Sequence, residues 1–354
     1  MEEFGRFAVA MLAFTLTTGG LRAAVVEPVL ASKERRTSDR TAVWTSMLWG
    51  ALIGLIVFGV GLVLGWQAVV IVGLSLPGLV LFDATRTLLV ARRRGRAGAI
   101  METVWTATTL AAAIPAALGM LSVSVALTMW GSAATVVGGS ATYLSVGPLR
   151  AKNSGRSFQP LYALDYAAGV GSTPLAMSVL AASSSAAIVG SLRAAGTLFG
   201  PLNIVASAVR PVLIARFGEG DEGSIRAKLL LACSFVGIMT PVAAVLVLLP
   251  DQVGQALLGA SWEPSQKVLL PMALEALLGL FSGVAFAAHR AHGVAVRILV
   301  TRCSLAGLRI IALVVAGATG GLVGAGWAIP AVSCVGAVVW WTGLRQVERR
   351  RVQG

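Results

Sequence analysis

Charge is scarce in this chain. Of 354 residues only 12% are charged and 56% are hydrophobic, with a mean hydropathy of +0.84. A soluble domain carries about 25% charged residues, so an ordinary globular protein is excluded. The three cysteines, Cys233, Cys303 and Cys334, lie inside apolar runs and provide neither a metal-ligand spacing nor a disulfide framework. The two histidines, His289 and His292, sit beside Arg290 and read as solvated loop residues. There is no nucleophile elbow, no His-Glu-X-X-His and no Walker lysine. No enzymatic role, no metal and no cofactor is therefore expected, and a self-contained nucleotide-driven pump has no site. The acidic start, Met1-Glu2-Glu3, is unlike the basic start of a cleavable signal peptide.

The charge that is present is patterned. Lys and Arg crowd the gaps between apolar runs near 33–40, 92–96, 150–156, 216–228, 290–297 and 345–351, which hold 20 of the 28 basic residues. The intervening gaps hold one, Lys267. A chain that crosses a membrane repeatedly shows this alternation, because basic loops stay in the cytoplasm. The net charge of +13 is thus a topological signal facing anionic headgroups, and a nucleic-acid partner is not expected.

About 20 apolar residues span a bilayer as a helix, and the pattern predicts eleven such spans: 7–30, 43–64, 68–91, 98–118, 120–146, 161–182, 185–214, 227–249, 268–289, 297–318 and 321–344. Trp66, Trp262, Trp340 and Trp341 fall near the expected interfaces, where indole rings are favoured. The fold class is all-α, a polytopic membrane protein. An odd number puts the termini on opposite sides, with the basic C-terminus cytoplasmic and the N-terminus outside. That arrangement suggests that a first helix is missing. A repeat points the same way: Glu27-Pro28-Val29-Leu30-Ala31-Ser32-Lys33 matches Arg210-Pro211-Val212-Leu213-Ile214-Ala215-Arg216. Leu81-Phe82, leading to Arg94-Gly95, likewise matches Leu280-Phe281, leading to His292-Gly293. Two pseudo-repeated bundles follow, five spans over 1–146 and six over 161–354, joined by a cytoplasmic linker at 147–160.

Each charge inside a span costs several kcal/mol unless it is paired or faces water. Glu27, Glu102, Asp165 and Arg210 lie near inward ends, where snorkelling is cheap. Asp83 and Arg86 share a helical face and are expected to pair. Arg302 and Arg309 share another face, with Glu275 on the preceding helix as a natural partner, which reads as a brace within the bundle. Arg22 and Arg193 have no acid at i+3 or i+4. They require a water-filled cavity, an anionic ligand, or an acid reaching over from another helix. Arginine suits phosphate because its planar donors bind oxygens bidentately.

Glu3-Phe4-Gly5-Arg6-Phe7-Ala8 resembles the entry to the second helix of lipid-linked oligosaccharide flippases, members of the multidrug/oligosaccharidyl-lipid/polysaccharide exporter superfamily. Leu192-Arg193-Ala194-Ala195-Gly196-Thr197-Leu198-Phe199-Gly200-Pro201-Leu202-Asn203 resembles their eighth helix, and Leu258-Gly259-Ala260-Ser261-Trp262 the outer loop before their tenth. The resemblance implies a twelve-helix fold that lacks its first helix here. It also implies flipping of a polyprenyl-pyrophosphate-linked polysaccharide precursor across the bacterial inner membrane by alternating access. The partners would be that lipid-linked glycan, membrane lipids and other polysaccharide-assembly proteins. Arg22 and Arg193 would then bind the pyrophosphate. Two rivals remain: a cation-coupled multidrug exporter of the same fold, in which Asp83 or Asp165 is the coupling acid, and a membrane-embedded glycan polymerase or ligase, which the short outer loops disfavour.

Overall fold

The structure is a computed structural model that describes residues 2–31, 36–146, 159–183, 186–218 and 224–353. Most of the expected linker, with Pro148, Gly155 and its basic residues, lies outside this description, as do the basic positions Lys33 and Arg35. The described residues form helices and turns, without strands. The first helices are α1 (Glu2–Leu21), a π-helical turn (Arg22–Val26), α2 (Glu27–Ala31), α3 (Arg36–Leu64), α4 (Gln67–Ala91), α5 (Gly95–Ala117), α6 (Val123–Ser145) and α7 (Pro160–Ser183). They are followed by α8 (Ala186–Leu198), α9 (Gly200–Gly218), α10 (Ile225–Val247), α11 (Asp251–Leu258), α12 (Trp262–Gln266), α13 (Leu269–Ala291) and α14 (Ala295–Gln353). Lipid demands this economy, because only a backbone bonded within its own segment is tolerated there.

Among the described residues, helix accounts for most of each expected span. Eight helices among the described residues are long and apolar enough to cross a membrane, or nine if Ala187–Leu198 and Gly200–Gly218, bent by 60°, form one span. The bend falls at Gly200-Pro201, where proline opens the first turn of α9 and sacrifices no helical hydrogen bond. The last apolar helix, Ala295–Arg349, turns at Gly321 (φ 57°), the first residue of the span predicted at 321–344. The 24-residue α7 is not among the eight, its Gly, Ser and Thr diluting its hydropathy.

The chain divides into two compact units, Met1–Ala167 with Ile214–Glu219, and Ala168–Leu213 with Gly220–Gly354. In the first, α4 is the central helix: 61% of its apolar window is buried, against 17% for α3, whose exposed Leu52, Leu55, Ile56 and Val63 suit hydrocarbon. Glycines let α4 approach its neighbours. A Cβ on Gly54 of α3 would stand 2.7 Å from the carbonyl oxygen of Gly73, and one on Gly138 of α6 would stand 2.9 Å from the backbone of Phe82. Small residues at such crossings are the usual means by which membrane helices gain packing contact. Phe14, Phe82, Trp105 and Trp130 fill the remaining core, with ring centroids 4.8–6.0 Å apart.

The second unit is organised around α13, whose buried face runs from Leu269 to Arg290. Three of the tryptophans expected at interfaces are buried here: Trp262 (2% exposed), Trp340 (6%) and Trp341 (7%). The Trp262 indole donates to Asp251 Oδ1 at 2.9 Å and would meet a Cβ on Gly254, so packing and a carboxylate hold the ring instead of headgroups. His289, expected in a solvated loop, is also buried, with Nε2 3.1 Å from the carbonyl oxygen of Trp340.

The turn after α4 is a Schellman motif: Arg94 N–H donates to Leu89 O at 2.8 Å and Arg93 N–H to Val90 O at 3.2 Å, with Arg93 left-handed at φ 61°. After α13, Gly293 holds the matching left-handed position at φ 71°, and its N–H donates to Arg290 O at 3.0 Å. A side chain there costs about 1 kcal/mol relative to glycine. Arg93→Gly is therefore expected to stabilise the protein by about 1 kcal/mol and Gly293→Ala to destabilise it by a similar amount. Thermal unfolding in detergent reads both, and opposite signs for the two changes are the outcome required.

Candidate functional site

In the first unit, four of the charges predicted inside spans converge. Arg22 opens the π-helical turn, a type of helix irregularity frequent at functional sites. Its Nη1 donates to Asp83 Oδ1 at 3.2 Å. Arg86 donates to the same oxygen through Nη2 at 2.9 Å, and its Nη1 pairs with Glu102 Oε1. The row alternates in sign, two guanidiniums with two carboxylates, and is neutral overall. The partner of Arg22 lies 61 residues away on α4, so the absence of an acid at i+3 or i+4 did not leave it alone. Asp83 Oδ1 receives both guanidiniums while its Oδ2 is buried without a hydrogen-bond partner among the described residues. Glu102, expected to snorkel, is instead the outer partner of Arg86.

Arg193 behaves differently. It lies on α8, is exposed, and makes no hydrogen bond or ion pair among the described residues. Asp165, expected near an interface, is 1% exposed in α7.

The second unit contains a cavity of about 370 Å³. Four charged side chains line it: Arg210 from α9, Glu275 from α13, and Arg302 and Arg309 from α14. The seven-residue spacing puts both α14 arginines on the cavity face, since two helical turns separate them. Arg309 is held on several sides. Its Nη2 donates to Glu275 Oε1 at 2.8 Å and to Ser333 Oγ at 2.9 Å, and its Nη1 donates to Thr173 Oγ1 at 3.4 Å. Glu275 Oε2 is buried without a hydrogen-bond partner among the described residues. Arg302 and Arg210 both approach the Phe286 ring, their Cζ atoms 4.7 and 5.2 Å from its centroid, and Arg290 reaches the same ring at 5.3 Å. Each such contact contributes about 2 kcal/mol where water is excluded.

The structure thus gathers Arg22, Asp83, Arg86 and Glu102 in one unit and Arg210, Glu275, Arg302 and Arg309 in the other. Arg210, read from the sequence as lying near an inward span end, is half-buried and lines the cavity. No group of acids, histidines and cysteines suited to a metal occurs among the described residues.

No known protein-family model matches this chain, and no curated protein does. Solved structures do. A single-residue mutant of a MATE protein matches with a TM-score of 0.80 and 15% identity, covering 100% of this chain and 89% of its own. A MATE protein in complex with MaD3S gives 0.80 and 16%, covering 99% and 88%. An outward-facing multidrug resistance MATE family transporter of the MOP superfamily gives 0.77 and 14%, covering 100% and 88%. At such identities it is the fold that is shared, and this chain has the fold of the MATE transporters.

Proposed function

We propose that this chain is a membrane exporter that works by alternating access, expelling small amphipathic molecules by cation coupling. The observation that carries the reading is the likeness, over the whole chain, to an outward-facing multidrug resistance transporter. The charge pattern supports a place in the bacterial inner membrane with the C-terminus in the cytoplasm.

Coupling needs an acid that can change its charge inside the bilayer. Asp83 suits this role. One of its oxygens holds two arginines, and the other is buried without a partner, where a proton or small cation would relieve the desolvation. Loss of the charge would break the Arg22–Asp83 link between the π turn and α4, while Arg86 keeps Glu102. Asp83→Asn is expected to abolish efflux, measured as at least tenfold greater drug accumulation at unchanged expression. Efflux equal to wild type would remove Asp83 from the mechanism.

A second reading, flipping of a polyprenyl-pyrophosphate-linked polysaccharide precursor, is favoured by Arg193. An exposed guanidinium in an apolar helix is costly unless water or an anion meets it. The lipid-linked pyrophosphate would supply that anion. In a strain lacking its own flippase, Arg193→Ala is expected to reduce surface glycan at least tenfold relative to the unaltered chain; undiminished glycan would eliminate this role.

A further inference from the structure

We propose that a groove at the basic end of the second unit binds an anionic phospholipid by its headgroup. The inference holds for either cargo, because it concerns a lipid that stays with the protein and is not carried.

The groove lies where the turn after α13 enters α14 and where the same helix passes Val347 near its far end. Its volume is about 820 Å³, within the ~300–1,000 Å³ of small-ligand sites. Arg297 and Thr301 line it, four residues apart and so on one face of α14. Arg297 is half-buried and seated. Its Nη2 donates to Gln346 Oε1 at 2.8 Å, and a Cβ on Gly343 would stand 3.0 Å from that nitrogen, so the guanidinium lies against a bare stretch of backbone. Gln346 takes a hydrogen and no charge. The Arg297 Nε and Nη1 donate to nothing among the described residues, and no carboxylate lines the groove. Glu348, the acid nearest on this part of α14, is bonded to Lys228 at 2.6 Å. Thr301 is likewise open. Thr240, Thr319 and Thr342 return their hydroxyls to carbonyls four residues back, whereas the Thr301 hydroxyl makes no hydrogen bond among the described residues.

The rest of the lining is apolar. Val296 and Val300, also four apart, are 64% and 58% exposed, and Val347 closes the far side. A guest that covers the valines and meets the guanidinium must be amphipathic. A free phosphate would leave the valines bare, at a cost of about 25 cal/mol per Å² of apolar surface. A phospholipid satisfies both halves, with phosphate oxygens on the arginine fork and an acyl chain along the valines. The exposed Arg345 and Arg349, two residues to either side of Val347, add positive charge to the same helix end. They disfavour the cationic headgroup of phosphatidylcholine and favour an anionic one. By the alternation of basic gaps this end faces the cytoplasm, where anionic lipids draw basic segments to the leaflet.

The test uses the full chain, purified in detergent and freed of lipid, with bound lipid counted by native mass spectrometry. Phosphatidylglycerol and phosphatidylcholine are titrated separately. The unaltered chain is expected to hold its first phosphatidylglycerol at least tenfold more tightly than its first phosphatidylcholine. Arg297→Gln is expected to erase that preference. Thr301→Val keeps the charge and the Gln346 bond, and is expected to reduce the preference severalfold, so it reports even where Arg297→Gln fails to fold. Arg96→Gln removes one exposed charge from the first unit and is expected to change nothing. Equal affinity for the two lipids, wild-type preference in Arg297→Gln or Thr301→Val, or a loss in Arg96→Gln as large as in Arg297→Gln would each overturn the proposal. So would displacement of phosphatidylglycerol by an equal concentration of inorganic phosphate, which would make the guest a free anion.

Discussion

A guanidinium in a low-dielectric interior must find opposite charge or water close by, and the two units meet that requirement in different ways. In the first, Arg22, Asp83, Arg86 and Glu102 form a row of alternating sign, held by contacts of 2.9 and 3.2 Å and by the Arg86–Glu102 pair. In the second, Glu275 pairs with Arg309, and Arg210 and Arg302 stand on the cavity wall beside the Phe286 ring.

The helices that carry these charges are held by close approach more than by apolar burial, since lipid is as apolar as the helices' own side chains. Gly54, Gly73 and Gly138 bring α3 and α6 onto α4, which fixes the face on which Asp83 and Arg86 stand. The Schellman turn at Arg93 and its counterpart at Gly293 end α4 and α13, the helices that carry Asp83 and Glu275. An acid thus lies on the central helix of each unit.

Much of the site was legible as residue type and little of it as arrangement. Asp83 and Arg86 pair because three residues on a helix bring side chains to one face, and the Arg302–Arg309 spacing does the same over two turns. Arg309 and Glu275 lie on consecutive helices, which made them candidates for each other. Arg22 and Asp83, 61 residues apart with α3 between them, share no local rule. Asp165, Trp262 and His289 are buried although each lies near the end of an apolar run, where composition suggests an interface; packing that composition does not encode draws them inward.

Hydropathy and the basic alternation belong to the chain as a string: which segments are apolar helix, how many charges they enclose, and which loops are basic. Each follows from the cost of exposing backbone or charge to hydrocarbon, a cost that depends on residues within one segment. Tertiary structure decided which charges cancel. Coulomb energy depends on distance in space, and distances of 2.8–3.2 Å between residues on different helices exist only after glycine-lined faces have packed. The same packing left an arginine-walled cavity in one unit and a neutral row in the other.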